Sequence, residues 1–281
     1  MALPFVLKYR SPQGAELNLA NNPRFLLSGV DGLTAANVDI SATEFAAHDG
    51  DFINNLHTTP RGIVLYLTMY QGENVENVKR EVLGVIKPKQ TGVLYWDYEG
   101  RQLEISGTVE AIEMQRFEKS VVMQITLYCS GPYWESAAYI IQKIELIMKL
   151  HHFKVAFPQN VGIAMGYYNL DLTRSFVNDG DAETGAVITI IATGDITNPL
   201  LERADGLYFG VNETMQAGDS IEICTIKGKK TVTKNGVNIL QKVKEGSTWL
   251  QLEVGENVFT ISEAGGTANM YFTFKYKQKY V

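Results

Sequence analysis

Four histidines, two cysteines and 31 acidic side chains are the groups with which this 281-residue chain could do chemistry. A metal centre needs His, Cys or carboxylate ligands that converge at defined spacing. His151 and His152 are adjacent, so on a strand they point to opposite faces. His48, Asp49 and Asp51 share one short stretch that reads as a solvated loop. Asn178-Asp179-Gly180-Asp181-Ala182-Glu183 has the look of a calcium loop but lacks the full Asp-x-Asp-x-Asp-Gly spacing and the distal Glu, so a turn between strands is the better reading. Cys129 and Cys224 lie far apart on expected strands and read as buried free thiols, not as a disulfide framework. No nucleophile elbow or phosphate-binding Gly loop occurs with the right neighbours. No local pattern singles out two acids for glycoside hydrolysis. The expectation is a chain without a catalytic centre, a metal or a cofactor.

Aromatic residues cluster more than the titratable ones. Tyr95, Trp96 and Tyr98 form one group, Tyr133 and Trp134 a second, Tyr167 and Tyr168 a third. Exposed aromatics on a β-sandwich stack on sugars or anchor protein interfaces, and buried ones are core. For Trp96 and Trp134, packing or subunit contact is preferred over sugar binding. The formal charge is −6, from 25 Lys+Arg against 31 Asp+Glu, which argues against a general grip on phosphate backbones. Up to Ile140 there are 11 basic and 16 acidic residues; beyond it there are 14 and 15, so the acidity sits in front. No signal-peptide pattern opens the chain, and no apolar run approaches the ~18 residues of a membrane span. Folding in a cytoplasm, with no membrane insertion, is expected.

The elements that would position these groups are mostly strands. Val93–Trp134 reads as a long β-hairpin: Leu103, Ile105, Gly107, Val109 and Ala111 share one face, and Val121, Met123, Ile125, Leu127 and Cys129 share the other strand's packed face. Met114–Ser120 would be its turn. Its second face, with Gln124 and Thr126, is left for solvent or a partner. Val75, Val78, Val82 and Val85 recur at helical spacing after the N-cap candidate Asn74, and Pro88 stops the helix, giving Asn74–Lys87. Glu76 and Arg80 are placed to pair across one turn. Ala46–Gly62 reads as a long loop, and such loops are usually functional or mobile. Ile63–Tyr70 is a strand. Residues 136–150 form a connector, helix or strand, and 151–281 read as short strands with Gly-rich turns, including a strand at Phe153–Phe157 and a type I′ hairpin at Asn235-Gly236.

The ordered series of these features resembles the distal tail protein family of siphophages. The residues that carry the likeness in front are His48-Asp49-Gly50, Arg61 before its strand, the helix with Arg80 and Pro88-Lys89, Ile105-Ser106-Gly107, and Ile125–Cys129 ending in Gly131-Pro132-Tyr133-Trp134. Behind, they are Val177–Asp181, Ile188–Ile190, Ile196-Thr197-Asn198-Pro199, Ala217-Gly218-Asp219, Ile221–Ile223, Asn235-Gly236, Ser247–Leu252 and Gly255-Glu256-Asn257.

The resemblance implies a mainly β protein. Residues 1–135 would form a tail-tube-like β-sandwich with one flanking helix, and 151–281 a galectin-like or jelly-roll β-sandwich. It also implies a homohexameric ring at the tail tip that joins the tail tube protein to a tail-associated protein and to a receptor-binding protein. DNA would pass through the ring's channel without specific binding, and front acidity facing that channel would suit such passage. The alternative is a carbohydrate-binding adhesion module working through the rear domain. Candidate subunit-interface residues are His48, Asp49, Asp51, Phe52, Arg61, Gln124 and Thr126.

Overall fold

The computed structural model describes residues 4–46, 48–115, 120–144, 147–149, 166–168, 173–262 and 269–281, with side chains left out at 147–149 and 166–168. The chain divides into two compact units, Met1–Ala138 with Lys279–Val281, and Tyr139–Gln278. The first unit runs through β1 (Phe5–Arg10), β2 (Glu16–Asn18), β3 (Phe25–Asp31), β4 (Val38–Glu44), β5 (Asp51–Thr58) and β6 (Arg61–Met69). Then come α1 (Val75–Val85), β7 (Thr91–Tyr98), β8 (Arg101–Gln115), β9 (Val122–Cys129) and β10 (Trp134–Ser136). One antiparallel sheet follows the order β2-β1-β7-β8-β9-β6-β3. Period-2 alternation sends Leu7, Tyr9, Ile63, Leu65, Leu67, Leu94, Ile105, Ile125 and Leu127 to one face, where they are buried. α1 covers that face with Val78, Val82 and the following Ile86. Asn74 caps the helix by accepting hydrogen bonds from the Glu76 and Asn77 amides. Glu76 meets Lys79 at 3.7 Å, one residue short of the Arg80 expected from spacing.

The long hairpin is present as β8 and β9, with two differences from expectation; residues 116–119 of its turn lie outside the described residues. A β-bulge at Glu110 shifts the register between Val109 and Ala111. An extra residue inverts alternation, so Ala111 leaves the packed face and Ile112 and Met114 join the core. The hairpin also has little free edge, because β7 pairs with β8 over Arg101–Thr108 and β6 pairs along β9. This path ends at β2 and β3, and β10 branches from it by pairing with β8.

The second unit begins at β11 (Ile140–Ile144), then β12 (Ile147–Lys149), β13 (Gly166–Tyr168), β14 (Thr173–Asn178), β15 (Ala186–Ala192), β16 (Ile196–Thr197) and β17 (Leu200–Arg203). It continues with β18 (Tyr208–Gly210), β19 (Thr214–Met215), β20 (Ser220–Cys224), β21 (Thr231–Lys234), β22 (Val237–Asn238), β23 (Gly255–Ser262) and β24 (Met270–Tyr276). A six-stranded sheet, β11-β24-β15-β20-β21-β22, and a four-stranded sheet, β14-β23-β17-β18, supply one buried cluster, as in a β-sandwich. Phe176 and Phe259 of the smaller sheet meet Phe274 of the larger with ring centroids 4.9 and 5.2 Å apart. Ile140–Ile144, expected within a connector, is an edge strand paired with β24. The chain then leaves this unit, and β25 (Lys279–Tyr280) pairs with β10 in the first. The expected strand Phe153–Phe157 and His151-His152 lie outside the described residues.

Turn chemistry follows the sequence closely here. Asn235 and Gly236 both have positive φ, 50° and 81°, as a type I′ turn requires. The Asn178 side chain is buried and donates to the carbonyls of Ala182 and Leu252, so the Asp179–Glu183 stretch is a pinned turn. Asp219 accepts from the Gln216 amide and the Asn235 side chain and pairs with Lys234 at 3.1 Å. These contacts, the Gln216 amide first, hold its carboxyl down at about 2 against an ordinary 3.8.

Two outcomes are expected. A carboxyl with a depressed folded-state pKa stabilises above its unfolded value and loses that contribution as pH falls through the folded one. The second unit should therefore weaken between pH ~4 and ~2, and Asp219→Asn should flatten that segment of its acid unfolding curve. In the first unit, a Cβ on Gly92 would lie 2.3 Å from the Tyr9 ring, whose buried hydroxyl has no hydrogen-bond partner. Gly92→Ala should cost about 1–3 kcal/mol in urea unfolding. Tyr9→Phe should be neutral or stabilise by up to about 1 kcal/mol.

Candidate subunit interface

The stretch expected to be a loop is half of a two-stranded ribbon. β4 and β5 pair from Val38↔Thr58 at the root to Glu44↔Asp51 at the tip, with a register shift beside Ser41 and Ala42. The shift explains the misreading. Phe52 and Ile53 stand side by side with no clean alternation, because Asn54 is the extra residue and its amide turns to Thr43 Oγ1 at 2.7 Å. Cross-strand partners share a face. One face therefore carries Val38, Ile40, Ala42, Ile53 and Leu56; the other carries Asp39, His57, Ser41, Asn55, Thr43 and Phe52. Every residue of β4 and all but the last of β5 are exposed, Ile40 to 57% and Leu56 to 60%. An amphipathic ribbon with its apolar face in solvent is an unfinished contact.

The ribbon's root, by contrast, is fixed. Arg61, first residue of β6, is 2% exposed. Its Nε donates to Pro132 O at 2.9 Å, and its Nη1 donates to Leu33 O at 2.9 Å and Gly32 O at 3.3 Å. Trp134 Nε1 donates to the same Leu33 carbonyl at 3.0 Å. Gly32 has φ +80°, and a Cβ there would sit 2.0 Å from Gly62 O, so only glycine allows the chain to cross β6 on its way to the ribbon. The planar guanidinium suits this task because its fork reaches two segments at once. Arg61 is thus a buried residue that positions the ribbon's root and not the surface residue its sequence-based expectation needed.

The other expected residues divide into two places. His48, Asp49, Asp51 and Phe52 gather at the ribbon's tip, with Phe52 59% exposed. Gln124 and Thr126 lie on the outward face of β9, half-buried beside Tyr66 and Val64 of β6. Nothing in the first unit brings the two sets together. Sequence reasoning did not single out Val38, Ile40 and Glu44 of the facing strand. One signal for them was available: residues 25–60 contain no Lys or Arg.

Chemistry elsewhere is muted. Burial pushes the Cys129 thiol up to about 11, so it is not a nucleophile at neutral pH; Cys224 is only partly buried. Among the described residues, no group of three or more His, Cys, Asp and Glu is placed to hold a metal ion. Trp134 is fully buried and meets Trp96 at 5.4 Å, so both pack in the first unit. Arg10 lies over Tyr95 and donates to its hydroxyl. The side chains of Tyr167 and Tyr168 lie outside the described residues.

Arg61→Lys should lose the fork and leave buried carbonyls without donors. We expect a loss of about 2–3 kcal/mol in urea unfolding of the first unit, together with faster amide exchange at the ribbon's root.

Comparison with known proteins agrees with this architecture. Residues 179–280 match the family described as siphovirus-type tail component, C-terminal domain. No curated protein sequence matches the chain. The crystal structure of the Dit protein of phage SPP1, presented as a paradigm of the hub adsorption apparatus in phages infecting Gram-positive hosts, superposes with a TM-score of 0.72 at 14% identity, over 99% of each chain. A chain of the phage P2 baseplate, in its calcium-activated conformation, superposes with a TM-score of 0.51 at 13% identity over 98% of each chain. Residues 179–280 are thus similar to the siphovirus-type tail component C-terminal domain, and the chain along nearly its whole length shares the fold of the SPP1 Dit protein.

Proposed function

We propose that this is a structural virion protein that forms a hexameric hub at the distal end of a phage tail. The first unit closes the ring and continues the tail tube. The second unit is left for tail-tip and receptor-binding components. The observation that carries the reading is the β4–β5 ribbon. Two strands without a third partner or a covering helix are marginal in water, and this ribbon holds four apolar side chains in solvent, each more than half exposed: Val38, Ile40, Ile53 and Leu56. Such a device makes sense when a neighbouring subunit covers it. Likeness of fold to the SPP1 hub protein over 99% of both chains supports the same conclusion. The outward face of β9, with Gln124 and Thr126, serves as a second contact surface.

Charge is compatible with a channel for DNA. The first unit has 12 Lys+Arg against 16 Asp+Glu and so offers no net attraction to phosphates. The role is architectural, without a reaction step, and its place is the tail tip after assembly in the host.

Mass measurement and negative-stain imaging of the purified chain test the reading. A six-membered ring is expected. Replacing residues 38–58 by a short Gly-Ser turn should leave a folded monomer with an intact thermal transition. A ring that persists without the ribbon, or a wild-type chain that stays monomeric at its highest soluble concentration, sinks the reading. Gln124→Lys with Thr126→Lys should impair ring formation while the monomer still folds.

A further inference from the structure

The acidity of the first unit is localised. Of its 16 carboxylates, four lie in the ribbon (Asp39, Glu44, Asp49 and Asp51), which has no Lys or Arg; the rest of the unit holds 12 acidic and 12 basic residues. The whole net charge of −4 therefore sits on the ribbon. At the tip, Glu44 and Asp51 are direct cross-strand partners, with Asp49 in the turn between them. Like charges placed opposite each other destabilise a ribbon. Among the described residues none of these four carboxylates meets a cation. The same unit does pair other charges: Arg10 with Glu16, Arg24 with Glu81, and Lys79 with Glu76. The tip is left with an unmet requirement for positive charge, at the end of an apolar face.

A surface with the matching character lies on α1 and the segment that follows it. Val78 and Val82 face the core, so Arg80 and Gly84 fall on the opposite side of the helix, both exposed, and the exposed Lys87 and Lys89 follow in the extended stretch after its end. Among the described residues, Arg80, Lys87 and Lys89 have no ionic partner. Gly84 is the second observation. It sits inside an 11-residue helix, where glycine costs about 1 kcal/mol relative to alanine. Within the chain nothing requires it, because a Cβ there would meet no atom within 4 Å. Glycine at an exposed helix position is explained when another backbone approaches closely. Half-buried Leu83 precedes it and supplies apolar surface, whereas Val85 packs on the unit's own core.

We infer that the β4–β5 ribbon of one copy lies across α1 of the next, over Gly84, with its acidic tip against Arg80, Lys87 and Lys89. The apolar face packs beside Leu83, and the tip's like charges are neutralised by cations that have no ionic partner among the described residues of their own subunit. This inference rests on the ring reading above and names the surface that receives the ribbon. It also places the ribbon's acids in a subunit contact, leaving a nearly neutral remainder of the unit to face other surfaces.

Charge-swap assembly tests it. Glu44→Lys with Asp51→Lys, and separately Arg80→Glu with Lys87→Glu, should each raise the concentration needed for half-assembly by roughly tenfold or more. The chain carrying all four substitutions should regain assembly. Gly84→Leu should keep the thermal transition, since its side chain meets only solvent in the single chain, and should weaken assembly by a similar factor. Wild-type rings that tolerate the α1 reversal or Gly84→Leu overturn the inference alone. So does a failure of the four-substitution chain to regain assembly when its monomer folds. A wild-type chain that never assembles overturns the inference and the ring reading together.

Discussion

The buried guanidinium of Arg61 is the interaction on which the first unit's outward architecture depends. Three backbone carbonyls from two distant segments, Gly32, Leu33 and Pro132, converge on one side chain. The Leu33 carbonyl is shared with the indole of Trp134, the residue that opens β10. Loops leaving a sheet carry backbone groups that must find partners once buried. Here the chain leaving β3 and the chain leaving β9 are satisfied by the same group. The exit of the ribbon and the start of β10 are thereby held in a common frame. Arginine at the first position of β6 is a solution to a hydrogen-bonding problem, and its charge is incidental to that role.

Rigidity at the root gives meaning to exposure at the end. The sheet of the first unit has its core on one face, under α1, and needs nothing from outside to be stable. The ribbon is different in kind. It satisfies the mutual hydrogen bonds of two strands but buries almost none of its side chains. Apolar burial contributes roughly 25 cal/mol per Å², and within the single chain the ribbon gains almost none of it. A well-anchored ribbon loses less freedom on association than a floppy one, because its direction is already set.

The second unit follows another logic. Its two sheets close on each other through interleaved Ile, Leu and Phe side chains, and its turns are held by local devices: Asn178 under one, Asn235 and Asp219 under another. It is self-contained in packing, and β25 then returns three residues to the first unit's sheet. The contrast between the units is one of packing: the first leaves an apolar ribbon in solvent, and the second gathers its apolar side chains into one buried cluster.

Much of this was legible in the residues themselves. Apolar alternation places β6, β8 and β9, the Val78 and Val82 spacing places α1, and Asn235-Gly236 places a type I′ turn. Each of these rests on a local rule that the neighbouring residues obey. The bulges at Glu110 and Asn54 were not legible, because one inserted residue inverts the two-residue period without leaving a compositional mark. For the same reason β5 was hidden, since its apolar residues face solvent and burial is the signal that alternation reports. Of the interface candidates, His48, Asp49, Asp51 and Phe52 lie at the ribbon's tip, whereas Arg61 is buried at its root. Sequence alone determined the mainly β class and the place of the one α-helix among the described residues. Tertiary structure decided which face of each strand meets another element, that Arg61 is buried and that the ribbon is not. Those outcomes depend on contacts between residues 28 to 101 positions apart, which no local pattern records.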